Sequence, residues 1–206
     1  MNTIIDLGNA LDKGSGTLSL PRMTDDEFYR FCQQNEDLRV ERNARGELVL
    51  MSPADMWTES RGLDVGADLV FWNRGLDTPG ITAGSSAGYT LPNGAIRSPD
   101  VSWVAADRWK SVPFAVRSPY PPISPDFVIE VMSPSDSLAE ALRKMEEYAE
   151  CGVPLGWLID HKRRTVCVYR PGQEPLQLVN PQTLSAAPEL PGLVADLQRV
   201  FAEDTP

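Results

Sequence analysis

"PDFVIEVMSPSDSLAEALRKMEEYAECGVPLGWLID", residues 125–160, predicts a strand, a helix and a second strand in that order. Its residues 127–132 form a short apolar run rich in β-branched side chains, which is typical of a buried strand. Apolar residues then recur at helical spacing over 138–149, and Ser137 and Glu140 stand at the spacing of a capping box. Because a strand, a helix and a strand in this order usually form a right-handed parallel crossover, the stretch indicates an α/β domain.

Glu130 lies in the middle of the first of these strands. An unpaired ionised carboxylate buried there would cost roughly several kcal/mol, so Glu130 needs a positive partner. Asp100 begins a neighbouring predicted strand, SPDVSWV, and Glu59 lies on a helical stripe that we predict faces the sheet. The members of that predicted inward stripe are Met56, Leu63, Ala67 and Val70.

Two kinds of cation would neutralise Glu130. Carboxylates converging from three separate elements, Glu59, Asp100 and Glu130, favour a hard ion such as Mg²⁺ or Mn²⁺, because such ions prefer oxygen ligands. Alternatively, Glu130 forms a plain ion pair with Arg143 or Lys144. Lys144 lies at the margin of the apolar stripe of its helix, from which a long side chain can lean back across the sheet toward Glu130. The residues alone leave both interpretations open.

The chain has 206 residues, of which 42% are apolar and 23% charged, as expected for one globular domain. We assign that domain to residues 21–206, and we assign residues 1–20, which lack sustained periodicity, to a mobile leader. No apolar segment approaches the roughly 20 residues that span a bilayer, and the amino terminus lacks the features of a signal peptide, so we expect a cytoplasmic protein. The net charge of −10 argues against a general nucleic-acid coat protein but leaves room for a local basic patch.

The rest of the chain adds further helices and strands. Thr24 is a predicted helix N-cap, and LRVER and ELVLM flank NARG as in a β-hairpin whose tight turn contains Gly46. A helix is predicted within residues 52–72, and a turn at Asn93 and Gly94 is predicted to join the next two strands. The order of elements predicts an α/β sandwich around one central mixed β-sheet flanked by helices.

Several of these motifs together resemble the bacterial Uma-two type restriction endonuclease family, which belongs to the PD-(D/E)XK, or restriction-endonuclease-like, superfamily. The resemblance runs from about Thr24 to Phe201 and keeps the order and spacing of the motifs. It is carried by LVLMSPADMWTESR, YTLPNGAIRSPD, SPDVSWV and the stretch 125–160. It implies a restriction-endonuclease-like sandwich.

The resemblance also implies a Mg²⁺-dependent (or Mn²⁺-dependent) endonuclease that hydrolyses DNA phosphodiester bonds. In the superfamily, the aspartate of a PD dipeptide and an acid on the next strand bind the metal, and these match Asp100 and Glu130. The usual lysine position two residues after the acid holds Met132, but Lys144 matches a lysine that family members carry on the following helix. Glu59 matches a first-helix carboxylate that some superfamily members use as an additional metal ligand. The implied catalytic residues are therefore Asp100, Glu130 and Lys144.

Other assignments remain open at this stage. Asp126 belongs to a second PD dipeptide, but it lies roughly 13 Å along the strand from Glu130 and is a secondary candidate. Arg97 and Arg143 are candidate phosphate contacts, with a solvated surface arginine as the alternative for each. A nuclease-like domain that has lost activity and serves as a binding or assembly module is the alternative function. Because cutting both DNA strands usually takes two sites, a homodimer is favoured.

Overall fold

The computed structural model describes residues 15–18, 23–51 and 53–203. Its helices are α1 (Asp25–Gln34), α2 (Met56–Arg74), α3 (Ala106–Ser111), α4 (Leu138–Glu150) and α5 (Leu197–Val200). Its strands are β1 (Ser15–Leu18), β2 (Arg39–Arg42), β3 (Leu48–Met51), β4 (Ile81–Gly84), β5 (Tyr89–Thr90), β6 (Ile96–Arg97), β7 (Val101–Val104), β8 (Phe127–Val131), β9 (Leu155–Asp160), β10 (Thr165–Tyr169), β11 (Leu176–Val179), β12 (Thr183–Ser185) and β13 (Val194–Asp196).

The central sheet contains six strands in the order β11-β10-β9-β8-β7-β4. β8 and β9 run parallel, whereas the other neighbours pair antiparallel, so the sheet is mixed. α4 connects β8 to β9, and residues 125–160 therefore form the predicted strand, helix and strand. The fold class is α/β with a central mixed sheet flanked by helices, as the sequence predicts.

A second sheet, which is antiparallel, has the order β1-β3-β2-β6-β5. β2 and β3 form the predicted hairpin, and Gly46 in its turn has a φ of 85°, a conformation that favours glycine. The predicted turn at Asn93 and Gly94 is also present, but it joins β5 to β6 in this second sheet. β4 pairs instead with β7 of the central sheet. The strand pattern alone did not separate the two sheets.

Helices cover both faces of the central sheet. Phe127 and Ile129 of β8 pack in one core with Leu69 of α2, whereas Val128 packs in another with Met145 of α4. Alternation along β8 therefore directs its even-numbered side chains toward α4. This side of the sheet also meets the second sheet, and the candidate site lies there.

The inward stripe predicted for α2 is wrong. Met56 is 83% exposed and Leu63 is 72% exposed. The buried face instead contains Thr58, Arg61, Val65, Leu69 and Asn73. Three of these side chains are polar, and two of them donate hydrogen bonds to the backbone: Arg61 Nε donates to Val200 O at 3.0 Å, and Asn73 Nδ2 donates to Gly80 O at 3.1 Å. Counting apolar residues selected the wrong side of the helix.

The helix starts agree only in part with the sequence prediction. Thr24 caps α1 as predicted, and it forms a capping box with Glu27. Ser137 occupies the N-cap position of α4, but its side chain makes no capping hydrogen bond, so the predicted capping box with Glu140 is wrong. The turn before α4 is held by Asp136 instead, whose Oδ2 accepts a hydrogen bond from Ser133 N at 2.6 Å.

Two expectations concern the chain ends and membranes. Of the predicted mobile leader at residues 1–20, only Ser15–Leu18 are described, and they form β1, which pairs antiparallel with β3. The remainder of that leader lies outside the described residues. Within the described ranges, no helix combines the length and apolar character needed to cross a membrane.

Candidate active site

Asp100 and Glu130 lie next to each other at the end of two paired strands. β7 and β8 are antiparallel with Val101 opposite Ile129, and the same register continued by one residue sets Asp100 opposite Glu130. Opposite residues on one face of such a pair have Cβ atoms about 5 Å apart. Asp100 Oδ2 also accepts a hydrogen bond from Val131 N at 2.8 Å, which fixes the carboxylate beside β8. The structure therefore brings together the two carboxylates that the sequence placed on neighbouring strands.

Two side chains of α4 bind Glu130 Oε1. Lys144 Nζ lies 2.8 Å from this oxygen, and Tyr148 OH donates to it at 3.0 Å. Burial raises the pKa of Glu130 to about 8; the Lys144 ammonium opposes this rise, and the charges of Asp100 and Glu41 add to it. The predicted reach of Lys144 toward Glu130 is confirmed. The ion pair that the sequence left as an alternative is therefore present.

Glu41 of β2 is a site residue that the sequence analysis missed. Its side chain is 1% exposed, and its Oε1 lies 2.9 Å from Lys144 Nζ and 2.9 Å from Ser98 N, which donates to it. Its Oε2 accepts a hydrogen bond from Arg97 Nη1 at 2.9 Å. Burial alone would raise the pKa of Glu41, but the charges of Lys144 and Arg97 outweigh burial and lower it. Glu41 is thus a buried, ionised carboxylate with both oxygens in use.

Glu41 gave no usable signal in the sequence. It stands in the hairpin strand LRVER, and alternation puts it on the opposite face from Val40, as expected for a solvated position. Closure of the second sheet over the central one buries it. Only the pairing of distant strands could reveal that contact.

The Lys144 side chain is a buried ammonium. It is 16% exposed and lies between Glu41 and Glu130. Burial alone would lower the pKa of Lys144, but the charges of Glu130 and Glu41 outweigh burial and raise it above its ordinary value. Lys144 consequently stays protonated at neutral pH. For Asp100, burial raises the pKa, although Lys144 and the Val131 N–H partly offset the rise.

The site opens onto a cleft of about 830 Å³, whose lining includes Asp100, Glu130 and Lys144. Arg39 and Arg143 stand on its walls. The described lining residues carry seven carboxylates and five cations, so this part of the protein is not a basic channel. The cleft therefore does not provide the local basic patch that the net charge left open.

Glu59 does not join the carboxylate pair directly. Its side chain is 53% exposed at the edge of the cleft, and its Oε1 lies 3.6 Å from Arg39 Nη1. The prediction that Glu59 looks inward is wrong, because α2 packs against the protein with its other face. A role of Glu59 as an additional ligand remains a prediction.

The remaining candidates have other partners. Arg97 is buried, with Nε 2.6 Å from Glu147 Oε2 in addition to its contact with Glu41, so it is neither a free phosphate contact nor a solvated arginine. Arg143 is 68% exposed, as the solvated alternative predicts. Asp126 Oδ1 accepts a hydrogen bond from Arg108 Nη1 at 2.6 Å, and the second PD dipeptide thus belongs to a separate ion pair.

The carboxylate pair fits a divalent ion. Within the described ranges, the hydrogen bonds of Asp100 and Glu130 use Oδ2 and Oε1, and their second oxygens have no protein donor. Mg²⁺ is commonly held by one or two carboxylates, with water and substrate phosphate completing its shell, so two free carboxylate oxygens suit it. The described residues contain no group of three or more His, Cys, Asp or Glu side chains that could hold a metal ion. The predicted cluster of three carboxylates is therefore not formed.

The fold and a family match place the chain among restriction-endonuclease-like proteins. A solved structure has the same fold: the crystal structure described as "a putative nuclease belonging to DUF820", from Anabaena variabilis, is 20% identical with a TM-score of 0.70, and the match covers 87% of this chain and 97% of that chain. A family model described as "Putative restriction endonuclease" matches residues 25–198. The chain belongs to this family, Uma2, and the family resemblance is confirmed. The comparison with curated proteins gives no match.

Proposed function

We propose that the protein is a metal-dependent endonuclease that hydrolyses DNA phosphodiester bonds. One observation carries the proposal: Asp100 and Glu130 stand side by side at an open cleft, with the Lys144 ammonium 2.8 Å from Glu130. Carboxylates that hold a divalent ion, together with a fixed cation, are the groups that phosphodiester hydrolysis requires. Membership of a family described as "Putative restriction endonuclease" supports the choice of substrate.

Asp100 and Glu130 would hold Mg²⁺ or Mn²⁺ through the oxygens that have no protein donor. When bound, the ion would polarise the scissile phosphate and lower the pKa of a coordinated water. Glu59 would contact the ion only through a bridging water, because its side chain lies at the cleft edge beside Arg39. We therefore expect Glu59→Gln to weaken Mn²⁺ binding far less than Asp100→Ala does.

Lys144 would supply positive charge and hydrogen-bond donors, not a base. Its raised pKa keeps the ammonium protonated, so it does not take a proton from the attacking water. It offsets the negative charge that grows on the phosphate oxygens during the reaction. Tyr148 also keeps its proton, because burial raises its pKa well above the usual value, and it fixes Glu130 by donating to Oε1.

A plasmid-nicking assay tests the proposal. We expect wild-type protein to nick plasmid DNA with Mg²⁺ or Mn²⁺ and to stop when EDTA is added, and we expect Asp100→Ala and Glu130→Ala to be inactive. Asp126→Ala is a matched control, because Asp126 lies on the chain beside the same strand but pairs with Arg108. Equal nicking by all four proteins would indicate a contaminating nuclease and would remove the support for this function.

An inactive binding or assembly module is the second candidate. The observation that favours it is the acidic cleft, with seven carboxylates and five cations among its described lining residues, in a chain of net charge −10. Such a module would show no nicking by purified wild-type protein at any concentration of Mg²⁺ or Mn²⁺. Metal-dependent nicking that is lost in Asp100→Ala would exclude it.

We also propose that the active form is a homodimer, since cleavage of both strands usually takes two sites and two-fold assembly is the commonest arrangement. Sedimentation equilibrium of the full chain tests this. A species of twice the 22.7 kDa chain mass is expected, and a monomer at the concentrations that cut DNA would contradict it.

A further inference from the structure

Glu41 links the second sheet to the candidate site. It comes from β2, and its two oxygens bind three donors: Lys144 Nζ, the Ser98 backbone N–H and Arg97 Nη1, each at 2.9 Å. With a side chain that is 1% exposed, it does not share its oxygens with solvent. Its carboxylate is therefore fixed on both sides, by backbone and by a guanidinium.

Glu41 and Glu130, the two carboxylates that contact Lys144, differ in whether they have an oxygen available for a further ligand. Glu130 lines the cleft beside Asp100 and has one oxygen without a protein donor. A divalent ion on the second oxygen of Glu130 would weaken the attraction of that carboxylate for Lys144, and a phosphate at the pair would compete with Glu130 for the ammonium. Glu41 borders the same cleft, but each of its two oxygens already binds a protein donor. The contact between Lys144 and Glu41 is thus the one that survives when a ligand binds.

We infer that Glu41 is a positioning residue, which holds the Lys144 ammonium beside the carboxylate pair while Glu130 turns to the metal. The inference deepens the proposed function and rests on it, since Lys144 acts on the substrate only if the protein is a nuclease. Glu41 itself touches neither substrate nor metal. It acts through the placement of the Lys144 amine.

Glu147 provides a matched control for Glu41. Its Oε2 lies 2.6 Å from Arg97 Nε, and its Oε1 accepts a hydrogen bond from Asn93 Nδ2 at 2.9 Å. Glu147 therefore shares Arg97 with Glu41, but the ion pairs of Lys144 are with Glu41 and Glu130. Glu147→Gln weakens the hold on Arg97 as Glu41→Gln does, and it leaves the anchor of Lys144 in place.

Competitive labelling of lysines with an amine-reactive reagent tests the anchor without any need for activity. In wild-type protein we expect Lys144 to react at least about tenfold more slowly than exposed Lys110, because its side chain is only 16% exposed and its amine is held between Glu41 and Glu130. Mass spectrometry of the labelled peptides should show that Glu41→Gln speeds the labelling of Lys144 and that Glu147→Gln does not. Labelling of wild-type Lys144 as fast as Lys110, or no change in Glu41→Gln, would overturn the inference.

Kinetics then separate a positioning role from a structural one. We expect kcat of Glu41→Gln to fall about 100-fold with little change in KM, as for a displaced catalytic group, and Glu41→Asp to recover part of kcat. If Glu41→Gln does not fold by circular dichroism, Glu41→Asp and wild-type labelling carry the test. An unchanged kcat in a folded Glu41→Gln whose Lys144 labels faster would refute the positioning role. An inactive wild-type protein would refute the proposed function instead, while the labelling results would still test the anchor.

Discussion

Lys144→Met removes the ammonium that the Glu41 and Glu130 carboxylates share, while an unbranched side chain one atom shorter remains in its place. In the metal-free protein, Glu41 would retain Arg97 and the Ser98 N–H, but Glu130 would retain only Tyr148. Deleting one partner of a buried ion pair typically costs about 3–5 kcal/mol when a charge is left without compensation, so the comparison is made at pH 9, above the Glu130 pKa of about 8. For a chain of 206 residues, at roughly 2–4 °C per kcal/mol, the melting temperature should fall by about 6–20 °C.

A divalent ion should partly reverse this loss. Without the ammonium, the carboxylates of Asp100 and Glu130 attract Mn²⁺ more strongly, so Mn²⁺ should raise the melting temperature of Lys144→Met more than that of wild-type protein. Nicking activity should nevertheless fall about 100-fold or more even at saturating metal, because charge on the phosphate is no longer offset. The substitution therefore separates metal binding from catalysis.

Thermal unfolding followed by circular dichroism, in EDTA and in Mn²⁺, measures both effects. Lys162→Met is the control, since Lys162 is exposed and its loss should change the free energy of unfolding by less than about 0.5 kcal/mol. A Lys144→Met protein as stable as Lys162→Met in EDTA would show that the ion pairs with Glu41 and Glu130 do not stabilise the fold. A variant that nicks DNA at the wild-type rate would refute the role given to Lys144.

Three further outcomes are expected. The pKa of Glu130 is raised to about 8 in the folded protein, so in EDTA its contribution to the free energy of unfolding is full below about pH 4.5 and declines as the pH rises toward 8. The decline is at most about 1.4 kcal/mol per pH unit. Urea unfolding of Glu130→Gln at several pH values should lack this decline, and pH profiles identical to those of wild-type protein would contradict it. Asp126→Ala should retain the Mn²⁺ affinity that Asp100→Ala loses in isothermal calorimetry; equal losses would place Asp126 in the site. In urea unfolding, Leu69→Ala should lower the free energy of unfolding by about 2–5 kcal/mol and Leu63→Ser by less than about 0.5 kcal/mol, because Leu69 is buried and Leu63 is 72% exposed. The reverse order would show that the face of α2 that contains Leu63 is the buried one.

Elements specified by nearby residues could be predicted from the sequence. Residues 125–160 form the predicted strand, helix and strand because strand periodicity, helix periodicity and the short connections agree within one segment. The same holds for the hairpin closed by Gly46 and for the N-cap at Thr24. Asp100 and Glu130 could be paired because each stands at a recognisable place on neighbouring strands, and the reach of Lys144 followed from its place on α4.

Features that depend on distant contacts could not be predicted. Glu41 enters the site only because the fold brings it, from β2 of the second sheet, to Lys144 of α4, which lies 103 positions further along the chain. The buried face of α2 includes Arg61, whose Nε donates to the backbone of Val200, 139 positions further along the chain, and no local sequence pattern predicts that contact. The sequence also could not decide between an ion pair and a metal at Glu130. The structure shows the ion pair and leaves a free oxygen on each of two carboxylates.

Anomalous diffraction from a crystal soaked in Mn²⁺ tests directly whether Asp100 and Glu130 hold a metal ion. We expect manganese bound between Asp100 Oδ1 and Glu130 Oε2, with the Lys144 ammonium still against Glu41 and displaced from Glu130. A crystal saturated with Mn²⁺ that shows no anomalous peak at this pair, with Lys144 still bound to Glu130, would contradict a metal-dependent nuclease.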